Sequence, residues 1–136
     1  MAGAFNIHIE PYAPTEADIR RIVWEPGGAV MLRLNHIGRS IVTAARAQVG
    51  KDTGELARSI HYNIKRWGGL PEVEVGSEHP IAYIHHEGTR PHAIRARNAQ
   101  FLRFSAKGRV VYDRTVMHPG TKPNRFLTDN LYLARL

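Results

Sequence analysis

Histidine is the residue type here with the most chemical potential: the chain has eight of them, and His85, His86, His92 and His118 are the plausible ligand cluster. Neutral imidazole is the commonest protein metal ligand. A zinc-type site, however, brings recognisable company: a His-Glu-x-x-His pair, paired cysteines, or a carboxylate at fixed spacing. None occurs in this sequence, and there is no cysteine at all, which removes thiolate sites and disulfides. Adjacent side chains such as His85 and His86 point in different directions on a helix or a strand. The histidines therefore read as structural residues and as parts of His-Pro turns. No metal and no cofactor are expected.

Nucleophilic chemistry has no better footing. Ser40, Ser59, Ser77 and Ser105 coexist with histidines and acids, but Gly-x-Ser-x-Gly is missing. Glu72 and Glu74 share a strand face, more simply a solvated hairpin surface than an acid–base pair. Gly27-Gly28 and Gly68-Gly69 lack the pattern of a phosphate loop. The expectation is that the chain is not an enzyme.

Cationic residues offer a third chemistry. The formal net charge is +7, and Arg90, Arg95, Arg97, Arg103, Lys107 and Arg109 form the densest basic run. If His92–Arg97 is a strand, Arg95 and Arg97 share a face, and Tyr112 sits near Arg103 across the next hairpin. Such a surface can follow a phosphate backbone without reading bases. Arg95, Arg97 and Arg103 are the candidate DNA-facing residues. The competing reading is a solvated face, or ion pairs to a neighbouring subunit.

These groups must be carried by a small fold. With 136 residues the chain is read as a single domain, residues 1–136, in which residues 1–26 form an N-terminal extension and residues 27–136 the core. No apolar run is long enough to cross a bilayer, so no membrane partner is expected. Phe5, Ile7 and Ile9 alternate as a short strand. Thr15 and Asp18 have capping-box spacing ahead of a helix from Glu16 to Trp24, with Ile19, Ile22 and Val23 on its buried side. Pro26-Gly27-Gly28 breaks the chain. A long helix follows from Ala29 to Val49 on the stripe Val30, Leu34, Ile37, Ile41, closed by a left-handed Gly50. Asp52 or Thr53 caps a short helix through Glu55 and Arg58.

From Ile60 the period becomes two. Ile60, Tyr62 and Ile64, then Val73 and Val75, flank the hairpin signal Gly68-Gly69. Pairing about that turn sets Lys65 opposite Glu72 and Ile64 opposite Val73, with Ile41 and Ile64 expected to be buried together. A short helix spans Pro80 to Glu87. Strands follow at His92–Arg97, Phe101–Ser105 and Arg109–Asp113, the last two joined by Lys107-Gly108. His118-Pro119-Gly120-Thr121 has the order of a tight turn. Asn124 caps a last helix through Phe126, Leu127 and Leu131. The class is α+β: an antiparallel sheet of about four strands packed against a long N-terminal helix, with short helices near the middle and C-terminus.

One set of motifs goes further. Asp52–Ile60 reads Asp-Thr-Gly-Glu-Leu-Ala-Arg-Ser-Ile, Tyr83–Thr89 ends in Glu-Gly-Thr, Pro91-His92 follows, and Pro123–Leu127 reads Pro-Asn-Arg-Phe-Leu. In this order, behind a long helix, they resemble the neck and tail-completion (minor tail) proteins of long-tailed bacteriophages. The match covers roughly residues 29–134 and leaves residues 5–26 poorly constrained. The resemblance implies a structural virion protein in a homo-oligomeric ring, hexameric or larger. That ring sits at the head–tail junction, touches adjacent neck or connector and tail proteins, and is assembled in the host cytoplasm.

Under that resemblance the Pro-, Gly- and His-rich loops become candidate contacts with neighbouring subunits or the next ring. They are Glu87, Gly88, Thr89, Arg90, Pro91 and His92, and, within Thr115–Asn124, His118, Pro119, Gly120, Thr121, Lys122, Pro123 and Asn124. DNA passing through the ring is a further, non-specific partner. Two alternatives stay open: a tail terminator capping the tail tube, and a small basic DNA-binding module.

Overall fold

In the structure, a computed structural model, residues 13–50 and 54–135 are described. The expected strand at Phe5–Ile9 and the caps at Asp52 or Thr53 lie outside them. Helix α1 (Glu16–Trp24) starts on the expected capping box. Thr15 Oγ1 accepts from the Asp18 amide at 3.2 Å, and Asp18 Oδ2 accepts from the Thr15 amide at 3.0 Å. Its apolar stripe is not buried as expected, because Ile19 and Ile22 are 51% and 45% exposed. The helix touches the body through its last turn, where Val23 and Trp24 are half-buried and the Arg66 guanidinium lies 3.9 Å from the Trp24 ring centroid. The break after α1 is tight. A Cβ on Gly28 would lie 2.4 Å from the carbonyl oxygens of Arg21 and Ile22, so only glycine fits there.

Helix α2 (Ala29–Gln48) is the spine. Its twenty residues make a rod of about 30 Å. It buries Ile37, Gly38, Ile41, Val42 and Ala45. Gly38 lets the Tyr62 ring lie against the helix, since a Cβ would meet that ring at 2.4 Å. The helix does not close on a left-handed Gly50. Val49 ends it in an extended conformation, with its amide still bonded to the Ala45 carbonyl at 3.0 Å, and its side chain is fully buried. Burial of an aliphatic side chain thus sets the end of the helix, where a glycine C-cap was expected. Helix α3 (Glu55–Ser59) begins from Gly54 at φ +77°, so the cap position belongs to glycine.

Strands β1 (Ile60–Trp67) and β2 (Leu70–Ser77) pair in the expected register, Lys65 opposite Glu72 and Ile64 opposite Val73. The Lys65 ammonium reaches the diagonal carboxylate of Glu74. Arg46 of α2 donates from Nε and Nη2 to the Ile60 carbonyl at 3.2 and 2.7 Å, fixing the hairpin base to the spine. Ile60 is completely buried, but Ile64 is only half-buried, and Trp67 and Leu70 at the tip are exposed. The hairpin runs past the cover of α2, so the expected joint burial of Ile41 and Ile64 holds for Ile41 alone.

Helix α4 (Ala82–Glu87) is followed by β3 (His92–Arg95), β4 (Leu102–Ala106), β5 (Arg109–Asp113) and β6 (Thr115–His118). The α+β class stands, but the described strands form three two-stranded ribbons, β1–β2, β3–β6 and β4–β5, where one sheet of about four was expected. The reason is local. The β4–β5 hairpin is nested inside the β3–β6 pair, and residues 96–101 on one side face Arg114 alone on the other, which breaks the ladder. The core consists of Val42, Ala45, Val49, Leu56, Ile60, Ala82 and Phe126. The expected last helix is a 3-10 helix, Thr128–Ala134, with Leu131 exposed and Asn130 buried. The Asn130 side-chain amide donates to the Phe126 carbonyl at 2.8 Å and to Gln48 Oε1 at 2.9 Å. No helix among the described residues is long and apolar enough to cross a membrane.

Candidate functional site

Gly88 ends α4 at φ +73°, its amide bonded to the Ile84 carbonyl at 2.8 Å. That dihedral belongs to glycine, and a Cβ would lie 2.4 Å from the Thr121 carbonyl oxygen and 2.8 Å from the Pro123 nitrogen. The opposing loop answers in kind. Gly120 has φ +88°, and a Cβ on it would lie 2.3 Å from the Thr89 carbonyl oxygen. Between the two glycines, Thr89 and Thr121 exchange backbone hydrogen bonds of 2.9 and 3.1 Å, and Thr89 Oγ1 also accepts from the Thr121 amide at 3.0 Å. The loops at 87–92 and 118–124, separate in sequence, are one interlocked clasp.

The clasp continues into the β3–β6 ribbon through paired histidines. His92 lies opposite His118, with ring centroids 5.1 Å apart and planes tilted by 34°. His118 Nδ1 accepts from the Gly120 amide at 3.1 Å, and His92 Nδ1 lies 2.9 Å from the Arg90 carbonyl, the geometry of an N–H donating to it. At the other end, Asn124 bolts the clasp to the spine. Its amide nitrogen donates to the Gln48 carbonyl at 3.2 Å, and its Oδ1 accepts from Gln48 Nε2 at 3.1 Å. Its backbone amide donates to the His85 carbonyl at 3.0 Å. Asn124 was expected to cap a helix; it bridges α2 and α4 instead.

Below it, Phe126 is wholly buried between two imidazoles. His85 sits 6.0 Å away in a tilted contact and His86 5.4 Å away edge-on. His86 Nδ1 is 2.7 Å from Glu87 Oε1, and its Nε2 is 3.3 Å from Thr128 Oγ1. The four histidines singled out from sequence thus divide into a pair around Phe126 and a pair at the ribbon base. No group of three or more His, Cys, Asp or Glu placed to hold a metal occurs among the described residues.

The structure brings together every expected contact residue from Glu87 to His92 and from His118 to Asn124. It does not gather the basic candidates into one face. β3 ends at Arg95, so strand parity does not extend to Arg97, which lies in the bend beyond. Arg103 is on β4, opposite Tyr112 as expected. All three arginines are exposed. Sequence reasoning missed the strand Thr115–His118 and the roles of Gln48 and Asn130. Gln48 looked like one more residue of the α2 stripe, and four-residue strands leave little periodicity to read.

No protein-family model, curated protein or solved structure matches this chain.

Proposed function

We propose that the chain is a structural subunit of the bacteriophage head–tail junction, forming or completing a ring that joins the DNA-filled head to the tail tube. One observation carries the reading. The Glu-Gly-Thr, Pro-His and Pro-x-x-Phe-Leu segments behind the phage resemblance converge on one corner, interlocked through Gly88 and Gly120 and wired to α2 by Asn124. The interlock of backbone at Gly88 and Gly120 gives this corner a defined shape. Proline restricts its backbone, and glycine permits the left-handed turns and close approach of the interlock. A loop shape set by these contacts before any partner arrives lowers the ordering cost of binding. A closed ring needs two different faces of one subunit to meet. The two-stranded ribbons supply unpaired strand edges for such contacts.

The test is deletion of the gene from a phage genome that carries it, followed by imaging of the lysate. The expected result is filled heads and free tails that fail to join, restored when the chain is supplied in trans. Joined, infectious particles from the deletion would overturn the proposal. Joined heads with tails of uncontrolled length would favour the tail-terminator reading, in which the ring is the same and its neighbour differs.

A further inference from the structure

Charge is distributed very unevenly along this fold. Residues 88–122 carry six arginines and two lysines against one acid, Asp113. That excess equals the formal +7 of the entire chain, so all remaining residues together are neutral. Six of these eight cations lie in the nested ribbon β3–β6 and β4–β5, and the other two, Arg90 and Lys122, lie in the clasp loops at its base. None of residues 90–121 is buried. All eight cations are exposed, and no ion pair among the described residues involves any of them. Arg114 lies over the Phe101 ring at 5.6 Å, and Tyr112 beside Arg103 is 63% exposed.

We propose that this arm is a duplex-DNA contact, sequence-independent and made to the phosphate backbone. Three features select that occupant. The body of a second copy is neutral and offers no excess of acid to meet the arm. A two-stranded ribbon has the cross-section that a major groove of about 12 Å admits. The cations are on both strands of the inner hairpin, on its turn and in the bend before it, as Arg103, Arg109, Lys107 and Arg97 illustrate. Charge arranged around a thin ribbon suits a groove with phosphates on either side. A flat acidic protein surface would be met by cations on one face. Arginine predominates, and its planar guanidinium binds phosphate oxygens in a bidentate manner. The inference stands on the arm's charge and shape and does not depend on the head–tail reading.

The test measures binding of the full chain to a fluorescein-labelled 30-base-pair duplex across 50–200 mM NaCl. Each phosphate neutralised contributes about −0.9 to the slope of log affinity against log salt. Replacing Arg95, Arg103 and Arg109 together by Gln should weaken binding at least about tenfold at 100 mM salt and flatten that slope by about 3. Replacing Arg20, Arg21 and Arg39 by Gln, all exposed on the body, should change affinity less than about twofold. Replacing the three arm arginines by Lys keeps the charge and should keep the slope, which separates electrostatics from misfolding. No binding at 50 mM salt, equal losses from the arm and body sets, or loss of slope in the Lys set would overturn the proposal. So would displacement by polyglutamate as effective as by unlabelled duplex at matched charge, since that would assign the arm to an acidic protein.

Discussion

Two glycines and one phenylalanine decide whether the clasp exists. Gly88 combines φ +73° with a 2.4 Å approach to the Thr121 carbonyl, so Gly88→Val carries both backbone strain and a clash with backbone that cannot move aside cheaply. Strain of this kind costs on the order of 1–3 kcal/mol before any clash is counted. Gly27 has open space around it and no positive φ. Chemical denaturation should therefore place Gly88→Val well below wild type and Gly27→Ala close to it; coincident midpoints for the two would contradict the interlock. It follows that Gly88→Val tests folding, and contact with a partner must be probed at exposed positions such as Arg90 and Lys122. Phe126→Ala should cost about 3–5 kcal/mol, the range for deleting a buried aromatic ring. A loss under about 1 kcal/mol in the same assay would mean that Phe126 is not the keystone between His85 and His86.

Among the elements, the ones legible in advance were those whose local signals agreed with each other. The Gly68-Gly69 turn and the two faces of β1–β2 specify the same register, and Thr15 with Asp18 announces α1. The β3–β6 pair was hidden because its partners are four residues each and lie some twenty residues apart, so neither turn chemistry nor parity connects them. The same gap kept the clasp from being read as one site, although both of its loops were picked out. Asn124 followed a proline and looked like a helix cap; its true partner, Gln48, is distant in sequence, and such pairs leave no local trace. Burial sets a further contrast. Ile41→Ala should cost about 2–5 kcal/mol, and Ile64→Ala less than half as much, because only Ile41 is enclosed. Equal costs would indicate that the hairpin tip is covered more fully than described. The inner hairpin is expected to be energetically separate. Replacing residues 98–112 with a short Gly-Ser linker should leave the unfolding midpoint of the body within about 1 kcal/mol of wild type, since it removes no buried side chain. Unfolding of the whole chain on that deletion would show that the arm supports the core.

As a whole the molecule separates three tasks. The neutral body, built on α2, supplies stability; the clasp supplies a rigid corner; the basic arm extends from it with every side chain at least partly open to solvent. Under the proposed ring reading this division has a use, because neighbouring subunits would hold in place two-stranded ribbons that are marginal alone. Weak subunit contacts suffice when a template presents many at once. The proposed place of the subunit, between head and tail, is open to direct imaging. Purified particles of a phage encoding this chain, imaged by cryo-electron microscopy with the chain traced by its density, test it most directly. The expected result is a ring of six or more copies between the portal end of the head and the tail tube, with the loops at 87–92 and 118–124 against a neighbouring subunit or ring. Particles without the chain, or copies found only at the far tip of the tail or scattered on the shell, would contradict it.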